Sequence, residues 1–219
     1  QRYRRFEGRV PGDFSSATFF LCAAAVTGSD LVIEGLDMND TQGDKRVVDM
    51  LAEMGCPSEA VEEGLLVRGT EVPSRGLRGA ELDLNDTPDA LPALAAAACY
   101  AEGETRLLNV PQARLKETDR ITVMREELSK MGADVEELPD GLVVRGRDPG
   151  SGPFLHGAAL DGRGDHRVVM ALSVAALAAA GPSLIDTAES VNITFPGFFA
   201  VLDALTAGGS TGGFAGGRS

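Results

Sequence analysis

Apolar residues along this chain fall into two kinds of pattern. Between residues 120 and 132, Ile121, Met124, Leu128 and Met131 recur at three- and four-residue steps, which predicts an amphipathic helix stopped by Gly132. The stretches around Ala23-Ala24-Ala25, Ala96-Ala97-Ala98 and Ala175 to Ala180 are instead apolar on most faces, as expected for helices surrounded by protein. Val135 to Val144 reads as a hairpin, with Pro139-Asp140-Gly141 supplying turn chemistry between two apolar-containing segments.

These patterns repeat. Leu51-Ala52-Glu53-Met54-Gly55 matches Leu128-Ser129-Lys130-Met131-Gly132, and Leu65-Leu66-Val67-Arg68-Gly69 matches Leu142-Val143-Val144-Arg145-Gly146, both 77 positions on. The alanine-rich segments match as well, and the glycines that follow the first two, Gly28 and Gly103, are 75 positions apart. The unit reads helix, strand, helix, hairpin, with copies at about 11–70, 82–147 and 158–206. In the third, a helix through Ala175 to Ala180 stops at Gly181-Pro182, Leu184-Ile185 follows as a strand, and Phe195 to Leu205 forms the second helix. The chain then runs into glycine, and residues 207–219 read as a flexible tail. A unit without its hairpin leaves a sheet edge or an apolar face uncovered, so the missing strands are expected from a part of the protein outside these residues.

Composition narrows the function. The 219 residues, 43% hydrophobic and 24% charged, suffice for one sizeable core or two modest ones. With no tryptophan, Ala, Val and Leu must fill the interior, which favours an α/β fold with closely packed helices on sheets. A net charge of -13 would repel a nucleic-acid backbone, while a small anion still binds where a few cations converge. Cys22, Cys56 and Cys99 suggest no disulfide framework, and no zinc-ligand spacing is present. No apolar run is long enough to span a membrane and no signal peptide is visible, so a reducing, cytoplasmic compartment is expected.

Three motifs carry chemistry. Asn85-Asp86-Thr87-Pro88-Asp89-Ala90 stands where the second buried helix begins; helix capping explains one acid, which leaves Asp89 open to a catalytic or substrate-hydroxyl role. Arg114, Lys116, Glu117, Asp119 and Arg120 lie within seven residues at a helix start. A solvated charged face is one reading. Cations at a helix N-terminus, where the dipole disfavours them unless they share an anion, support the other. Asp165-His166-Arg167 opens the third unit, with His166 readable as a capping residue, and Asp13 or Ser15 caps the first helix.

Taken in order and spacing, Gly12-Asp13-Phe14-Ser15-Ser16-Ala17, Asn85 to Ala90, Arg114 to Arg120, Asp165-His166-Arg167 and Thr194-Phe195-Pro196 resemble the carboxy-terminal half of the EPSP synthase (3-phosphoshikimate 1-carboxyvinyltransferase) family. The resemblance implies one domain of the enolpyruvyl transferase fold, an inside-out α/β barrel of three α/β units, here with the third incomplete. It covers nearly the whole chain. It implies transfer of enolpyruvyl from phosphoenolpyruvate to the 5-hydroxyl of shikimate 3-phosphate in a cleft between two domains, without metal or organic cofactor. Asp89 would then hold the shikimate hydroxyls and take part in proton transfer, and Glu117 would exchange a proton with the methylene carbon. Lys116 would contact the shikimate side, Arg120 and Arg167 would clamp phosphoenolpyruvate, and Gln112 and His166 would be polar substrate contacts. A family lysine before Thr-Phe-Pro is replaced by Ile193. The amino-terminal domain, supplying a lysine, an arginine and a Ser-Ser pair, would be the missing partner. Two other readings remain open at this level: a non-catalytic anion-binding or interaction module on the same fold, and the same chemistry on another sugar or cyclitol.

Overall fold

The computed structural model describes residues 4, 5, 7, 8, 10–72, 76–146 and 154–207. Of the expected tail, Ala207 ends a helix and the rest lies outside the described residues. The first unit runs α1 (Phe14–Thr27), β1 (Asp30–Glu34), α2 (Arg46–Glu53), β2 (Ser58–Val61) and β3 (Gly64–Arg68). The second opens on β4 (Leu77–Arg78) and β5 (Glu81–Asp83). It continues through α3 (Leu91–Ala98), β6 (Ala101–Glu102), β7 (Glu104–Leu108), α4 (Arg120–Lys130), β8 (Asp134–Leu138) and β9 (Gly141–Arg145). The third comprises β10 (Ala159–Asp161), α5 (His166–Leu177), β11 (Leu184–Asp186) and α6 (Phe198–Ala207).

The hairpins of the first two units pair alike, β3 antiparallel to β1 and β9 antiparallel to β7. Among the described residues β11 pairs only with β10, so the third unit lacks this hairpin as its sequence pattern implied. The strands that lead into units two and three were not legible. β5 and β10 run parallel to β7 and β11, and three residues each is too short for a period-two signal.

The matching Gly-Leu-Leu-Val-Arg-Gly and Gly-Leu-Val-Val-Arg-Gly runs have one steric cause. A Cβ on Gly64 would sit 2.2 Å from the Ile33 carbonyl oxygen, and one on Gly141 1.9 Å from that of Leu107. The hairpin strands therefore approach β1 and β7 too closely for any side chain. In the second hairpin the turn itself is Pro139-Asp140, and Gly141 answers to this close approach.

Two helix limits differ from those expected. α5 ends at Leu177, before Ala180, because the Ala180 amide donates to Leu155 O (2.9 Å) and its carbonyl accepts from Gly157 N (2.8 Å), joining the strand pairing instead of the helix. α6 starts at Phe198, since Pro196 disfavours helical geometry at Phe195, whose amide instead closes the preceding turn on Val191 O.

The buried helices α1, α3 and α5 pack on one another, with β1 and β3 over α1 and β7 and β9 over α3. All eight residues of α3 are buried. Ring contacts from Phe20 to Phe195 and Phe198, at 5.7 and 5.5 Å, hold α6 on α1. At one end of this core the loops that begin the buried helices are tied together. Gln42 accepts from Phe14 N and donates to Gly12 O, and neighbouring Asp44 accepts from Thr87 Oγ1 at 2.6 Å. The charged motifs gather at this end.

Candidate active site

Arg120, first residue of α4, is the centre of the cluster. Its side chain is 1% exposed, and each of its nitrogens donates to a carboxylate from a different segment. Nε reaches Asp165 Oδ2 at 2.8 Å, Nη1 reaches Asp89 Oδ1 at 2.8 Å, and Nη2 reaches Glu117 Oε2 at 2.6 Å. Asp165 is fully buried; besides Arg120 it accepts from Thr118 Oγ1 and from Arg167 N, so one carboxylate caps α5 and anchors the guanidinium. Sequence reasoning placed Asp165 at a helix start and missed this second task.

Asp89 lies in the turn that leads into α3. Pro88 and Pro92 remove two of the amides that a cap would serve, and neither Asp89 nor Asp86 caps the helix. Freed from capping, Asp89 also meets Lys116 Nζ at 3.0 Å and Arg167 Nη2 at 3.4 Å. Burial by itself would raise its pKa. Arg167, Lys116 and Arg120 outweigh that and hold the carboxyl below its ordinary range. Asp165 behaves in the same way, with burial overcome by Arg120.

Glu117 is half exposed, and its other oxygen is 3.9 Å from His166 Nδ1. His166 is the first helical residue and does not cap α5; Asp165 does. Its buried Nδ1 has no hydrogen-bond partner, and burial lowers its pKa, so the ring is neutral near pH 7. The three carboxylates Asp89, Glu117 and Asp165 thus face the three cations Lys116, Arg120 and Arg167.

The rest of the charged run is structural. Arg114 donates to the carbonyls of Pro139 (2.9 Å) and Leu138 (2.7 Å) and pairs with Asp119 and Glu137, pinning the β8–β9 hairpin to the start of α4. Asp119 caps α4 through Thr122 N. Gln112 donates to Asn85 O at 3.1 Å, on the loop before Asp89, and makes no hydrogen bond to the cluster. Ile193 ends a 3-10 turn with its side chain 73% exposed. Among the described residues no group of three or more His, Cys, Asp or Glu is placed to hold a metal ion, and no helix is long and apolar enough to cross a membrane.

The shifts make a prediction for pH. The pKa values of Asp89 and Asp165 are lower in the folded than in the unfolded chain, so their contribution is complete above about pH 4 and is lost as pH falls through the folded values. His166, also lowered, resists protonation when folded and adds a loss that begins below about pH 6.5. Urea midpoints should therefore fall in acid, and Asp165→Asn should show a smaller drop between pH 4 and pH 2 than the parent. An identical drop in both would rule out the Asp165 share.

Repeated α/β units around packed buried helices, with carboxylates gathered at a cation cluster, are the arrangement that the sequence resemblance to the enolpyruvyl transferase fold implied. The profile of the EPSP synthase (3-phosphoshikimate 1-carboxyvinyltransferase) family matches residues 1–202, and the chain belongs to that family. It is 56% identical over 198 residues to the 3-phosphoshikimate 1-carboxyvinyltransferase of Ruminiclostridium cellulolyticum, covering 90% of this chain and 44% of the relative. To that of Halobacterium salinarum it is 46% identical over 205 residues, covering 92% and 46%. The solved EPSP synthase from Acinetobacter baumannii superposes with a TM-score of 0.74 at 33% identity, over 89% of this chain and 46% of that one. The enolpyruvyl transferase NikO from Streptomyces tendae shares the fold, with a TM-score of 0.60 at 19% identity. The chain spans about half the length of the curated relatives it matches.

Proposed function

We propose that this chain is the carboxy-terminal half of an EPSP synthase that transfers the enolpyruvyl group of phosphoenolpyruvate to the 5-hydroxyl of shikimate 3-phosphate and releases phosphate. The observation that carries the reading is the Arg120 guanidinium, which holds Asp89 and Glu117 on separate nitrogens. Two carboxyl groups in unlike surroundings suit an addition in which carbon gains a proton while oxygen loses one. Glu117, half exposed, delivers a proton to the methylene carbon. The 5-hydroxyl oxygen bonds to the adjacent carbon, and its proton passes to Asp89. Elimination then breaks the carbon–phosphate oxygen bond as Asp89 passes its proton to the departing phosphate, and the new methyl group returns a proton to Glu117.

Arg167 and Arg120 take the carboxylate and phosphate of phosphoenolpyruvate, and Lys116 faces the shikimate side with Gln112 and His166 as outer polar contacts. Within the domain Arg120 makes four hydrogen bonds to its own carboxylates, so a substrate anion on Arg120 competes with them. Ile193 brings no cation where some family members carry a lysine. The reaction so written needs acid–base and electrostatic catalysis only.

The partner is the amino-terminal domain of the same enzyme, which completes the cleft. It also covers the third unit, where β3 and β9 have no counterpart among the described residues and Leu184 of β11 is exposed. Three buried free thiols suit a reducing, cytoplasmic setting. The test is complementation: mix this chain with a separately produced amino-terminal half and measure phosphate release from phosphoenolpyruvate with shikimate 3-phosphate. Activity is expected only in the mixture. A folded, associated mixture that releases no phosphate would overturn the reading.

A further inference from the structure

The fully buried ionisable side chains of the described residues include one that the proposed chemistry does not use. Glu127, on α4, is buried as completely as Arg120 and Asp165. Isolated buried carboxylates are costly, so the groups around one reveal what it does. Glu127 Oε2 accepts from the Asp161 backbone amide at 2.9 Å, and Lys130 Nζ donates to both carboxylate oxygens at 2.8 and 2.7 Å.

The position of that amide gives the contact its meaning. Asp161 ends β10, and Asp165 caps α5. Between them the chain makes a tight loop, with Arg163 at φ 54° and Gly164 at φ 72°, closed by Asp165 N donating to Gly162 O at 2.9 Å. Arg120 and Glu127 are two helical turns apart, on the same face of α4. Arg120 holds the far end of the loop through Asp165, and Glu127 holds the near end through Asp161. One helix therefore grips both ends of the segment that starts α5 and delivers Asp165 and Arg167 to the site. Gly164 N donating to Thr187 Oγ1 at 3.0 Å ties the loop to the neighbouring turn, and half-exposed Arg163 reaches Glu126 Oε2 at 3.2 Å and Glu127 Oε1 at 3.6 Å on α4, so beside Arg120 it is Glu127 that supplies the buried fixed point for the loop backbone.

We propose that Glu127 is a positioning residue of the active site: by holding the Asp161 amide it fixes the 161–165 loop against α4, keeps Asp165 aligned on Arg120, and directs Arg167 toward Asp89. This rests on the function proposed above. The bond to the amide does the positioning, and the ion pairs with half-exposed Lys130 and Arg163 only offset the buried charge.

Four variants of the chain, each paired with the amino-terminal half, separate this role from a merely structural one. Glu127→Gln keeps an acceptor for the Asp161 amide; Glu127→Met keeps the volume and loses the acceptor; Glu127→Ala loses both; Lys130→Ala loses only the ion pair. Glu127→Met and Glu127→Ala should raise KM for phosphoenolpyruvate about 10-fold, with kcat within about twofold and KM for shikimate 3-phosphate unchanged. Glu127→Gln and Lys130→Ala should stay within about twofold of the parent in all three. If Glu127→Ala does not fold, Glu127→Met decides. A folded Glu127→Met with the parent's KM for phosphoenolpyruvate overturns the proposal, and so does a Glu127→Gln impaired as much as Glu127→Met. If the parent mixture itself releases no phosphate, the functional reading fails, and the positioning claim is then judged by phosphoenolpyruvate affinity of the chain alone. There Glu127→Met should bind about 10-fold more weakly, and equal binding sinks it.

Discussion

Replacing Arg120 by Met should cost the domain about 3–5 kcal/mol of unfolding free energy, the range for removing one partner of a buried ion pair. The size follows from what is left behind. Asp165 stays wholly buried, and its remaining donors are Thr118 Oγ1 and the Arg167 amide, with no charge among them. Asp89 and Glu117 are partly exposed and recover water, so they add little. Urea denaturation of the chain alone measures the loss. The double variant Arg120→Met/Asp165→Asn should regain a large part of it, because the uncompensated charge is gone. A loss below about 1 kcal/mol in the single variant would mean that the guanidinium does not carry the buried charge of Asp165. Phosphate release in the complemented enzyme should vanish with Arg120, so the stability measurement shows how much of that loss is folding.

Asp89→Asn should separate chemistry from folding in the other direction. Asp89 contributes no helix cap and is partly exposed, so the substitution should cost only the modest stability that its lowered pKa supplies at neutral pH and leave the domain folded. Its carboxylate, however, is the only one that touches Lys116, Arg120 and Arg167 together. Asparagine keeps the shape and loses the proton acceptor. In the complemented enzyme kcat should fall by about 10²–10⁴, the usual contribution of a positioned acid or base. A folded variant within tenfold of the parent would show that the 5-hydroxyl proton leaves by another route.

Much of the architecture could be read along the chain. The matching Gly-Leu-Leu-Val-Arg-Gly and Gly-Leu-Val-Val-Arg-Gly runs located both hairpins, and their first glycines proved to be places where one strand lies against the carbonyls of another. The alanine-rich segments announced the inner helices, since helices that pack against one another on several sides admit only small apolar side chains. The strands β5 and β10 escaped notice because their pairing, not their composition, makes them strands. The run from Arg114 to Arg120 was recognisable as a cluster but not as two devices. Arg114 and Asp119 build the junction between hairpin and helix, while Lys116, Glu117 and Arg120 face the site.

By itself the sequence determined the repeated hairpins, the kind and order of most elements and the charged residues that gather at one end of the core. Those features depend on neighbours within a turn or two, where periodicity, capping and glycine placement act. Tertiary structure decided which carboxylates share Arg120. Asp89 lies 31 residues and Asp165 45 residues away along the chain, and only packing of α4 between α3 and α5 brings them to one guanidinium. It also decided that Asp165 and Glu127 are buried, because exclusion of water is a property of the assembled core and not of any one segment. The Lys116 to Arg120 cluster is thus a site made by three segments meeting, with its charge already balanced before any substrate arrives.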